Sequence, residues 1–458
     1  GNRGRRAQQS DGPNIILIMA DDLGWGDVGY NGNDIVRTPH LDQMAAEGLN
    51  LERFYTASPI CSPTRASMLI GRHPYRAGIW AAHTAGMRVG ETTVAELVRD
   101  AGYQTGFFGK WHLGWLDPDP FNAADDRGFY SPPGLHGFDT YFATQSAVPT
   151  WDPGVTPFDI FGNKEGEPWK KTGKPYVLDG EVYQGDITGD DSRIIMDKVL
   201  PYIDKSAATG KPFLATVWFH TPHEPVVAGP EYLAMYADLP NEKHRHYFGA
   251  ITAMDEQIGR LRAHLTKLGI AEDTLIFFTS DNGPARPNVR RAGASAGPFR
   301  GQKHEVYEGG VRVPSLAVWP GRIKPSTSNA LLGTVDYLPS ILEVAGIRAP
   351  RRLGPTLDGI SFAPLFSGET LDLEGRLIAT GYRRLFRGQD GLALVGERYK
   401  LVRNKETGDL ELYDLSKDPG EENNIAAQNV PIVERMARDM RAFEISTTLS
   451  SQGADYNY

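Results

Sequence analysis

Apolar residues recur along this chain with two different periods. Four continuous apolar runs are typical of strands buried on both faces of a sheet: residues 14–20, 105–108, 213–219 and 274–280. Three segments between these runs repeat their apolar residues at helical spacing: residues 92–101, 191–200 and 246–268. Because strands and helices alternate, we predict an α/β fold with a large, mostly parallel sheet sandwiched by helices.

The pattern changes after Gly346, where short strand-like runs are separated by turn residues. These runs cover residues 376–380, 391–395, 399–403 and 410–415, and a helix is predicted over 431–444. They predict a smaller C-terminal antiparallel sheet with one helix packed on it. We therefore expect a disordered or processed N-terminus over 1–12, a catalytic α/β domain over 13–370 and a C-terminal α+β subdomain over 371–458.

Composition excludes several classes of function. The chain has 458 residues, of which 40% are hydrophobic and 23% charged, as in an ordinary globular protein. Its 48 Lys and Arg against 57 Asp and Glu give a formal net charge of -9, so we expect no nucleic-acid partner. The apolar runs are shorter than the roughly 20 residues that a membrane-spanning helix requires. We therefore expect no membrane span.

Polar side chains of charged or ligand-forming types follow all four predicted strands. They are Asp21, Asp22, Lys110, His112, His220, Asp281 and Asn282. Turn chemistry alone explains any one of these positions, but it explains all four together poorly. Since ligands of parallel sheets bind outside the carboxyl ends of the strands, we expect these residues to share one pocket.

The single cysteine, Cys61, excludes an intramolecular disulfide and any cysteine-built metal cluster. Pro63 is typical of the first turn of a helix, so Cys61 is predicted at or just before a helix N-terminus, a position that favours anions. A small buried apolar residue is one alternative. Another is a thiolate nucleophile whose pKa is lowered by the helix and by Arg65.

The segment Cys61-Ser62-Pro63-Thr64-Arg65 resembles the Cys-x-Pro-x-Arg signature of the type I sulfatases, a family of the alkaline-phosphatase-like superfamily. In that family the cysteine is oxidised to formylglycine. Four further segments resemble family blocks in family order: 109–114, 279–283, 307–314 and 412–415. The resemblance therefore extends from about residue 14 to residue 425.

The resemblance implies hydrolysis of a sulfate ester. Formylglycine hydrates to a gem-diol, and one hydroxyl of this diol attacks the sulfur atom. The second hydroxyl lets the sulfated intermediate collapse to the aldehyde and release sulfate, which an unmodified cysteine or a serine cannot do.

By resemblance, a divalent metal is bound by Asp21, Asp22, Asp281, Asn282 and the modified side chain at Cys61. Oxygen ligands favour Ca²⁺, with Mg²⁺ as an alternative. Without Asp281 and Asn282, the Asp21-Asp22 pair would read as a helix cap or a turn.

The resemblance also implies catalytic roles for six residues: Cys61, Arg65, Lys110, His112, His220 and Lys303. Arg65 follows Cys61 by one helical turn and is expected to hold the hydrate and the sulfate. Lys110 and His112 would point to the same side of an extended backbone, with Lys110 on the sulfate and His112 assisting the hydrate. His220 is expected to protonate the leaving alcohol, and Lys303 to contact the sulfate from the opposite side.

Weaker candidates for substrate binding are His223, Trp151, Arg286, His304 and His83. Arg286 begins a basic run with Arg290, Arg291 and Arg300, which is either solvated surface or a site for further sulfates. Trp151 lies in the irregular segment 121–174, a predicted loop wall, and either stacks on a sugar or packs in the core.

We therefore expect a sulfated oligosaccharide or polysaccharide as substrate, and a formylglycine-generating enzyme or anaerobic sulfatase maturation enzyme as partner. Family practice and the polar start of the chain predict a periplasmic or secreted protein. Two alternatives remain open. One is a phosphoester or phosphonate hydrolase of the same superfamily, and the other is a non-catalytic binder of sulfated glycans in which Cys61 is never oxidised.

Overall fold

The structure is a computed structural model that describes residues 11–82, 86–119, 129–351, 353, 357–383 and 391–456. Its strands are, in chain order, β1 (Asn14–Ala20), β2 (Leu49–Leu51), β3 (Phe54–Tyr55), β4 (Gln104–Lys110), β5 (Thr140–Thr144), β6 (Tyr176–Leu178), β7 (Glu181–Val182), β8 (Phe213–Trp218), β9 (Thr274–Ser280), β10 (Ser315–Val318), β11 (Ser326–Ser328), β12 (Leu332–Gly333), β13 (Ile378–Tyr382), β14 (Gly391–Val395), β15 (Tyr399–Arg403) and β16 (Leu410–Asp414). Its α-helices are α1 (Pro39–Glu47), α2 (Cys61–Ile70), α3 (Val94–Asp100), α4 (Asp191–Ala208), α5 (Pro230–Ala234), α6 (Glu242–Lys267), α7 (Arg286–Arg291), α8 (Glu308–Val311), α9 (Tyr337–Val344) and α10 (Val430–Ser451).

Ten strands form one large sheet in the order β11-β2-β10-β9-β1-β8-β4-β5-β6-β7. The five central strands, β9, β1, β8, β4 and β5, run parallel. Both flanks include antiparallel pairs, β10 with β9 on one side and β6 with β5 on the other. The carboxyl ends of five strands therefore meet at one edge, which confirms the predicted sheet; that ligands bind at this edge stays a prediction.

Side chains of β1 show why this sheet is buried on both faces. Ile15, Leu17 and Met19 pack into one apolar layer with residues of α2, α3 and α9. The alternate residues Ile16 and Ile18 pack into the opposite layer with residues of α1, α4 and α6. Because successive side chains of a strand point to opposite faces, a continuous apolar run is what a sheet between two helical layers requires.

The C-terminal strands form a separate antiparallel sheet in the order β13-β14-β15-β16. Met436 and Met440 of α10 pack on the apolar side chains of this sheet. The sheet and the helix on it are as predicted. The domain boundaries stay predictions, and residues 1–10 lie outside the described residues.

Several predicted elements differ in extent from those observed. The weak run 105–108 belongs to a strand that continues to Lys110, since it pairs along its whole length with β5 and β8. The segment 121–174 contains β5, which its own pattern did not indicate. Helix α4 continues through Pro201 to Ala208, although proline usually ends a helix. In the described part of the chain, no helix combines the length and the apolar character needed to cross a bilayer.

Candidate active site at the carboxyl edge of the sheet

The candidate residues converge because the strands that carry them are in register. Ala20 of β1 pairs with Ser280 of β9, so Asp21 and Asp281 leave the sheet side by side. The backbone N–H of Asp22 then donates to Asp281 Oδ1 at 3.0 Å. Asp22 has a φ of 64°, in the left-handed region that non-glycine residues rarely adopt. This turn keeps both carboxylates buried at the sheet edge.

Six buried charged residues form one network, here called the sheet-edge cluster: Asp21, Asp22, Arg65, Lys110, Asp281 and Lys303. Lys110 Nζ lies 2.7 Å from Asp21 Oδ2. Arg65 Nη2 lies 2.8 Å from Asp281 Oδ2 and 3.5 Å from Asp21 Oδ2. Lys303 Nζ lies 2.8 Å from Asp22 Oδ1. The three carboxylates are thus matched by three cations.

Two oxygen atoms at this edge have no partner. Asp21 Oδ1 and Asn282 Oδ1 are buried and accept no hydrogen bond. The amide of Asn282 is oriented by its other end, since Nδ2 donates to Asp22 Oδ1 at 2.7 Å and to Gly283 O at 2.8 Å. A buried acceptor left unpaired costs about 1–3 kcal/mol, so these oxygens are suited to a ligand.

That ligand fits the chemistry of a hard divalent cation. Asp21, Asp22 and His223 offer ligand atoms that all lie within 4.8 Å of one another. Carboxylate and amide oxygens are preferred by Ca²⁺ and Mg²⁺. Asp281 Oδ1 accepts the N–H of Asp22 and Asn282 Oδ1 is unpartnered, so Asp21, Asp22, Asp281 and Asn282 could together hold such an ion, and this ligand set stays a prediction.

The carboxylates of the sheet-edge cluster differ in their ionisation. Burial alone would raise the pKa of Asp21, but Lys110, His223 and Arg65 hold it well below its usual range. Burial and the neighbouring charge of Asp21 raise the pKa of Asp281 to about 7. An added positive charge at this edge would favour the ionised form of Asp281.

Cys61 is the first residue of α2, as Pro63 predicts, and only 3% of it is exposed. Burial raises the pKa of its thiol, despite the opposing charges of Lys110 and Lys303. Burial thus acts against the alternative of a thiolate with a lowered pKa, and the Arg65 guanidinium is paired with Asp281 and Asp21. The charges that act on Cys61 nevertheless place its side chain within electrostatic reach of the sheet-edge cluster.

Arg65 lies one helical turn after Cys61, as its spacing predicts, whereas His112 departs from the predicted extended backbone. The Arg65 guanidinium is fully buried, donates from Nη1 to Lys110 O at 2.8 Å and lies over the Trp218 ring at 5.3 Å. Through these contacts and its ion pairs, Arg65 holds Lys110, Asp21 and Asp281 in place. His112 has a φ of 56°, so the segment after Lys110 is not extended and the same-side argument for Lys110 and His112 fails.

The two histidines after β8 have different surroundings. His220 is fully buried, with Nδ1 at 2.6 Å from Asp191 Oδ2 and Nε2 at 2.6 Å from Thr144 Oγ1. Both ring nitrogens are thus occupied, contrary to the acid role predicted for His220. His223 has Nδ1 at 2.6 Å from Glu224 O, which leaves Nε2 directed at Asp22 Oδ2, 3.8 Å away.

The weaker substrate candidates are scattered. Trp151 packs its ring on Gly229 and bridges to Asp190, so packing accounts for it. His304 follows Lys303, donates its backbone N–H to Pro59 O at 2.9 Å and has its ring 5.5 Å from that of Tyr382. Arg286 is exposed at the start of α7. His83 lies outside the described residues.

Sequence reasoning missed the residues that hold His220. Thr144 ends β5, the strand hidden in an irregular segment, and Asp191 begins α4. The hydroxyl of Tyr176 donates to the other carboxylate oxygen of Asp191. The apolar run before Thr144 was the available signal for β5, but nothing in the sequence links Asp191 to His220.

Comparison with known proteins agrees with this geometry. The Sulfatase family model matches residues 13–347, and a model of the C-terminal region of N-sulphoglucosamine sulphohydrolase matches residues 300–445. Mouse (Mus musculus) N-acetylgalactosamine-6-sulfatase is 32% identical over 383 residues, which cover 79% of this chain and 67% of that protein. Human (Homo sapiens) arylsulfatase A is 32% identical over 453 residues, which cover 90% of this chain and 83% of that protein.

A solved structure extends the similarity to the whole fold. The protein Ps i-CgsB, solved in complex with k-i-k-neocarrahexaose, superposes with a TM-score of 0.82 at 26% identity. The match covers 94% of this chain and 93% of that one. Since the family model also spans most of the chain, this protein belongs to the sulfatase family and is a sulfuric ester hydrolase.

Proposed function

We propose that this protein hydrolyses sulfate monoesters of a sulfated carbohydrate, with a formylglycine formed from Cys61 as the nucleophile and a divalent cation, Ca²⁺ before Mg²⁺, beside it. One observation carries the proposal: Cys61 is the buried first residue of α2, one turn before Arg65, whose guanidinium lies 2.8 Å from Asp281 Oδ2 and 3.5 Å from Asp21 Oδ2. Formylglycine supplies a hydrated aldehyde, of which one hydroxyl attacks sulfur and the other allows sulfate to be released.

Charge balance supports an anionic substrate. The three carboxylates of the sheet-edge cluster are already offset by Arg65, Lys110 and Lys303. A divalent cation on the oxygens of Asp21 and Asn282 leaves a net positive charge, which suits a sulfate ester and the charge that develops on its leaving oxygen. Lys110 and Lys303 contact different aspartates, so they approach a bound sulfate from different directions.

His223 is proposed as the acid that protonates the leaving alcohol, in place of His220. The hydrogen bond from Nδ1 to Glu224 O fixes the ring so that Nε2 is the nitrogen available to the pocket. Burial lowers the pKa of His223 to about 4, although Asp21 opposes this effect. A bound anionic ester adds negative charge beside the ring and so favours its protonated form.

His220 is proposed as a positioning residue. Its ring is fixed between Asp191 of α4 and Thr144 of β5, and its carbonyl oxygen accepts the backbone N–H of His223 at 2.8 Å. The next carbonyl, of Thr221, accepts the N–H of Asp21 at 3.0 Å. His220 therefore anchors the loop that carries His223. Through Thr221, the same loop contacts Asp21 of the proposed metal site.

A carbohydrate substrate is supported by the named relatives. One relative is named N-acetylgalactosamine-6-sulfatase, and Ps i-CgsB is solved in complex with k-i-k-neocarrahexaose. A maturation enzyme that oxidises Cys61 and a periplasmic or secreted location remain part of the proposal as sequence-based predictions.

Two measurements test this function together. The mass of the peptide that contains Cys61 should show loss of sulfur after expression with a maturation enzyme, and the protein should hydrolyse 4-nitrophenyl sulfate faster than 4-nitrophenyl phosphate. Cys61→Ala is the matched control and should remain folded without turnover. A fully unmodified peptide would favour the non-catalytic binder, and a clear preference for phosphate would favour a phosphoester hydrolase.

A further inference from the structure

Helix α7 presents a set of arginines beside the candidate active site. Arg286, Arg290 and Arg291 are exposed, and within the described residues none of them donates a hydrogen bond or forms an ion pair. These three residues are here called the α7 arginine face. Arg300, which the sequence groups with them, is instead occupied: it donates to Tyr413 and to Glu421 O and stacks on Tyr307. Three unpaired arginines on one short helix stand out on a chain with a net charge of -9.

The helix is attached to the loop that carries His223. It follows the ligand candidates Asp281 and Asn282 after three residues, and its buried Asn288 has Nδ2 at 3.5 Å from Pro222 O. Arg291 lies three positions after Asn288, on the side of the helix that faces this loop. Arg286 and Arg290, four positions apart, share the neighbouring face.

Glu224 connects the arginines electrostatically to the pocket. Burial and Asp22 raise the pKa of Glu224, whereas Lys303, Arg291 and Lys243 lower it. Lys303 belongs to the sheet-edge cluster, while Arg291 and Lys243 are exposed. The charges of Lys303 in the sheet-edge cluster and of Arg291 on α7 therefore both act on the Glu224 carboxylate.

We propose that the α7 arginine face binds a second anionic group of the same glycan chain whose sulfate ester occupies the pocket. This inference rests on the proposed function and narrows it to polysulfated oligosaccharides or polysaccharides. Arginine is suited to this task because its planar donors bind sulfate or carboxylate in a bidentate manner. Val289, 37% exposed between Arg286 and Arg290, offers a small apolar contact to a sugar ring.

The test measures binding by calorimetry in a Cys61→Ala background, so that ligand is not consumed. The probes are sulfated hexasaccharides from carrageenan, chondroitin sulfate and heparin. The variant Arg286→Gln/Arg290→Gln/Arg291→Gln should lose roughly 10-fold in affinity for the tightest of these probes, since each exposed ion pair contributes a small amount. Its affinity should also depend less on salt. Among single variants, Arg291→Gln should lose most.

The matched control removes the same charge elsewhere. Arg435, Arg438 and Arg441 are exposed on α10, which packs on the C-terminal sheet, and changing all three to Gln should leave hexasaccharide affinity unchanged. Equal losses in both triple variants, or no binding of any hexasaccharide at low salt, would overturn the proposal. An equal loss for a single-stranded oligonucleotide of the same charge would overturn its assignment to a glycan.

Turnover separates this inference from the proposed function. With Cys61 intact, the α7 triple variant should lose more kcat/KM on a sulfated hexasaccharide than on 4-nitrophenyl sulfate, which has one anionic group. A wild-type protein that hydrolyses no sulfate ester would refute the proposed function, while an α7-dependent affinity for hexasaccharides would still establish the outer site. Normal hydrolysis with unchanged hexasaccharide affinity would refute the outer site alone.

Discussion

Two groups of buried charges in the described part of the chain differ in whether they have the character of a ligand site. The sheet-edge cluster is one. The other, here called the Lys400 cluster, consists of Lys400 of β15, Glu308 of α8, Glu421 and Tyr55. Lys400 Nζ lies 2.9 Å from Glu308 Oε2 and 3.0 Å from Glu421 Oε2. Both clusters bury several charges, so burial of charge alone does not identify an active site.

The difference lies in which oxygen atoms remain without a partner. In the Lys400 cluster Tyr55 donates to the second oxygen of Glu308, and the backbone N–H of Glu308 donates to Glu421 Oε1 at 2.6 Å. Glu421 Oε2 accepts no hydrogen bond but lies 3.0 Å from Lys400 Nζ, and the other carboxylate oxygens of that cluster each have a hydrogen-bond donor. In the sheet-edge cluster Asp21 Oδ1 has none, nor has Asn282 Oδ1 next to it. A buried network with unused acceptors is arranged for a ligand, whereas a completed one holds the fold together.

The largest expected effect is the loss of turnover in Asp281→Asn. Asparagine keeps the shape of the side chain but removes a charged metal ligand, so turnover should fall by roughly 10³-fold on every substrate. Asparagine can still accept the N–H of Asp22 but loses the ion pair with Arg65, which retains Asp21 at 3.5 Å, so the protein should fold with a moderate loss of stability. Steady-state kinetics and thermal unfolding check both statements.

Glu308→Gln is the matched change in the Lys400 cluster. It leaves Lys400 with one buried carboxylate in place of two, so the free energy of unfolding should fall by about 3 kcal/mol. Turnover per folded molecule should stay at the wild-type value. If Glu308→Gln abolished turnover in fully folded protein, the distinction between the clusters would fail.

A second prediction contrasts the two histidines in the same way. His223→Gln removes the proposed acid and should slow hydrolysis of a sugar sulfate by roughly 10²- to 10³-fold. It should slow 4-nitrophenyl sulfate much less, because nitrophenolate leaves without a proton. The His220 ring contacts Asp191 and Thr144 and not the leaving group. In His220→Gln, hydrolysis of the two substrates should therefore slow by a similar factor. A larger leaving-group dependence in His220→Gln than in His223→Gln would return the acid role to His220.

The sequence was sufficient to predict where the pocket lies but not which side chains face it. Strands β1 and β9 were predicted with their observed bounds, because a strand between two helical layers must be apolar on both faces. Helix α2 began at Cys61, as Pro63 indicates. His220 and His223 could not be told apart, since the contacts that occupy His220 come from Asp191 and Thr144 in remote elements.

Two further features could not be predicted from the sequence: the backbone turn at His112 and the buried ion pairs of the Lys400 cluster. The left-handed conformation of His112 breaks the alternation that Lys110-Trp111-His112 suggests. In the Lys400 cluster, Lys400 and Glu308 are more than 90 positions apart in the chain. Lys400 lies in a segment whose pattern predicts a strand and indicates no buried ion pair.

A third prediction uses the unpaired oxygens directly. If they hold a cation, Ca²⁺ at 100 times its Kd should raise the free energy of unfolding by about 2.7 kcal/mol, and chelation should reverse the effect. Asp281→Asn should lose this response, and Glu308→Gln should retain it at a lower stability. The readout is the unfolding midpoint, so it does not require an active enzyme. An equal response in wild type and Asp281→Asn would place the cation elsewhere, and a stronger response to Mg²⁺ would replace Ca²⁺ as the ion.

The smallest expected effect is the pH dependence of the Lys400 cluster. Burial, together with the nearby charge of Glu308, raises the pKa of Glu421 to about 7, although Lys400 opposes this shift. The folded protein therefore binds a proton that the unfolded chain, with an ordinary glutamate pKa, has already lost. Stability from this group is fully present below about pH 4.5 and is lost as the pH rises to about 7, by roughly 2 kcal/mol.

Glu421→Gln tests this effect, because glutamine keeps the protonated shape at every pH. Unfolding in urea at pH 5 and pH 7 should show a smaller loss of stability with rising pH in Glu421→Gln than in wild type. Lys400 lowers the pKa of Glu308 against the effect of burial. Glu308 therefore changes the pH dependence of unfolding only below pH 5, outside the range compared here. If the two proteins lost stability in parallel, Glu421 would be ionised throughout. One ammonium group, that of Lys400, would then face two ionised carboxylates, and the Lys400 cluster would carry an unbalanced negative charge.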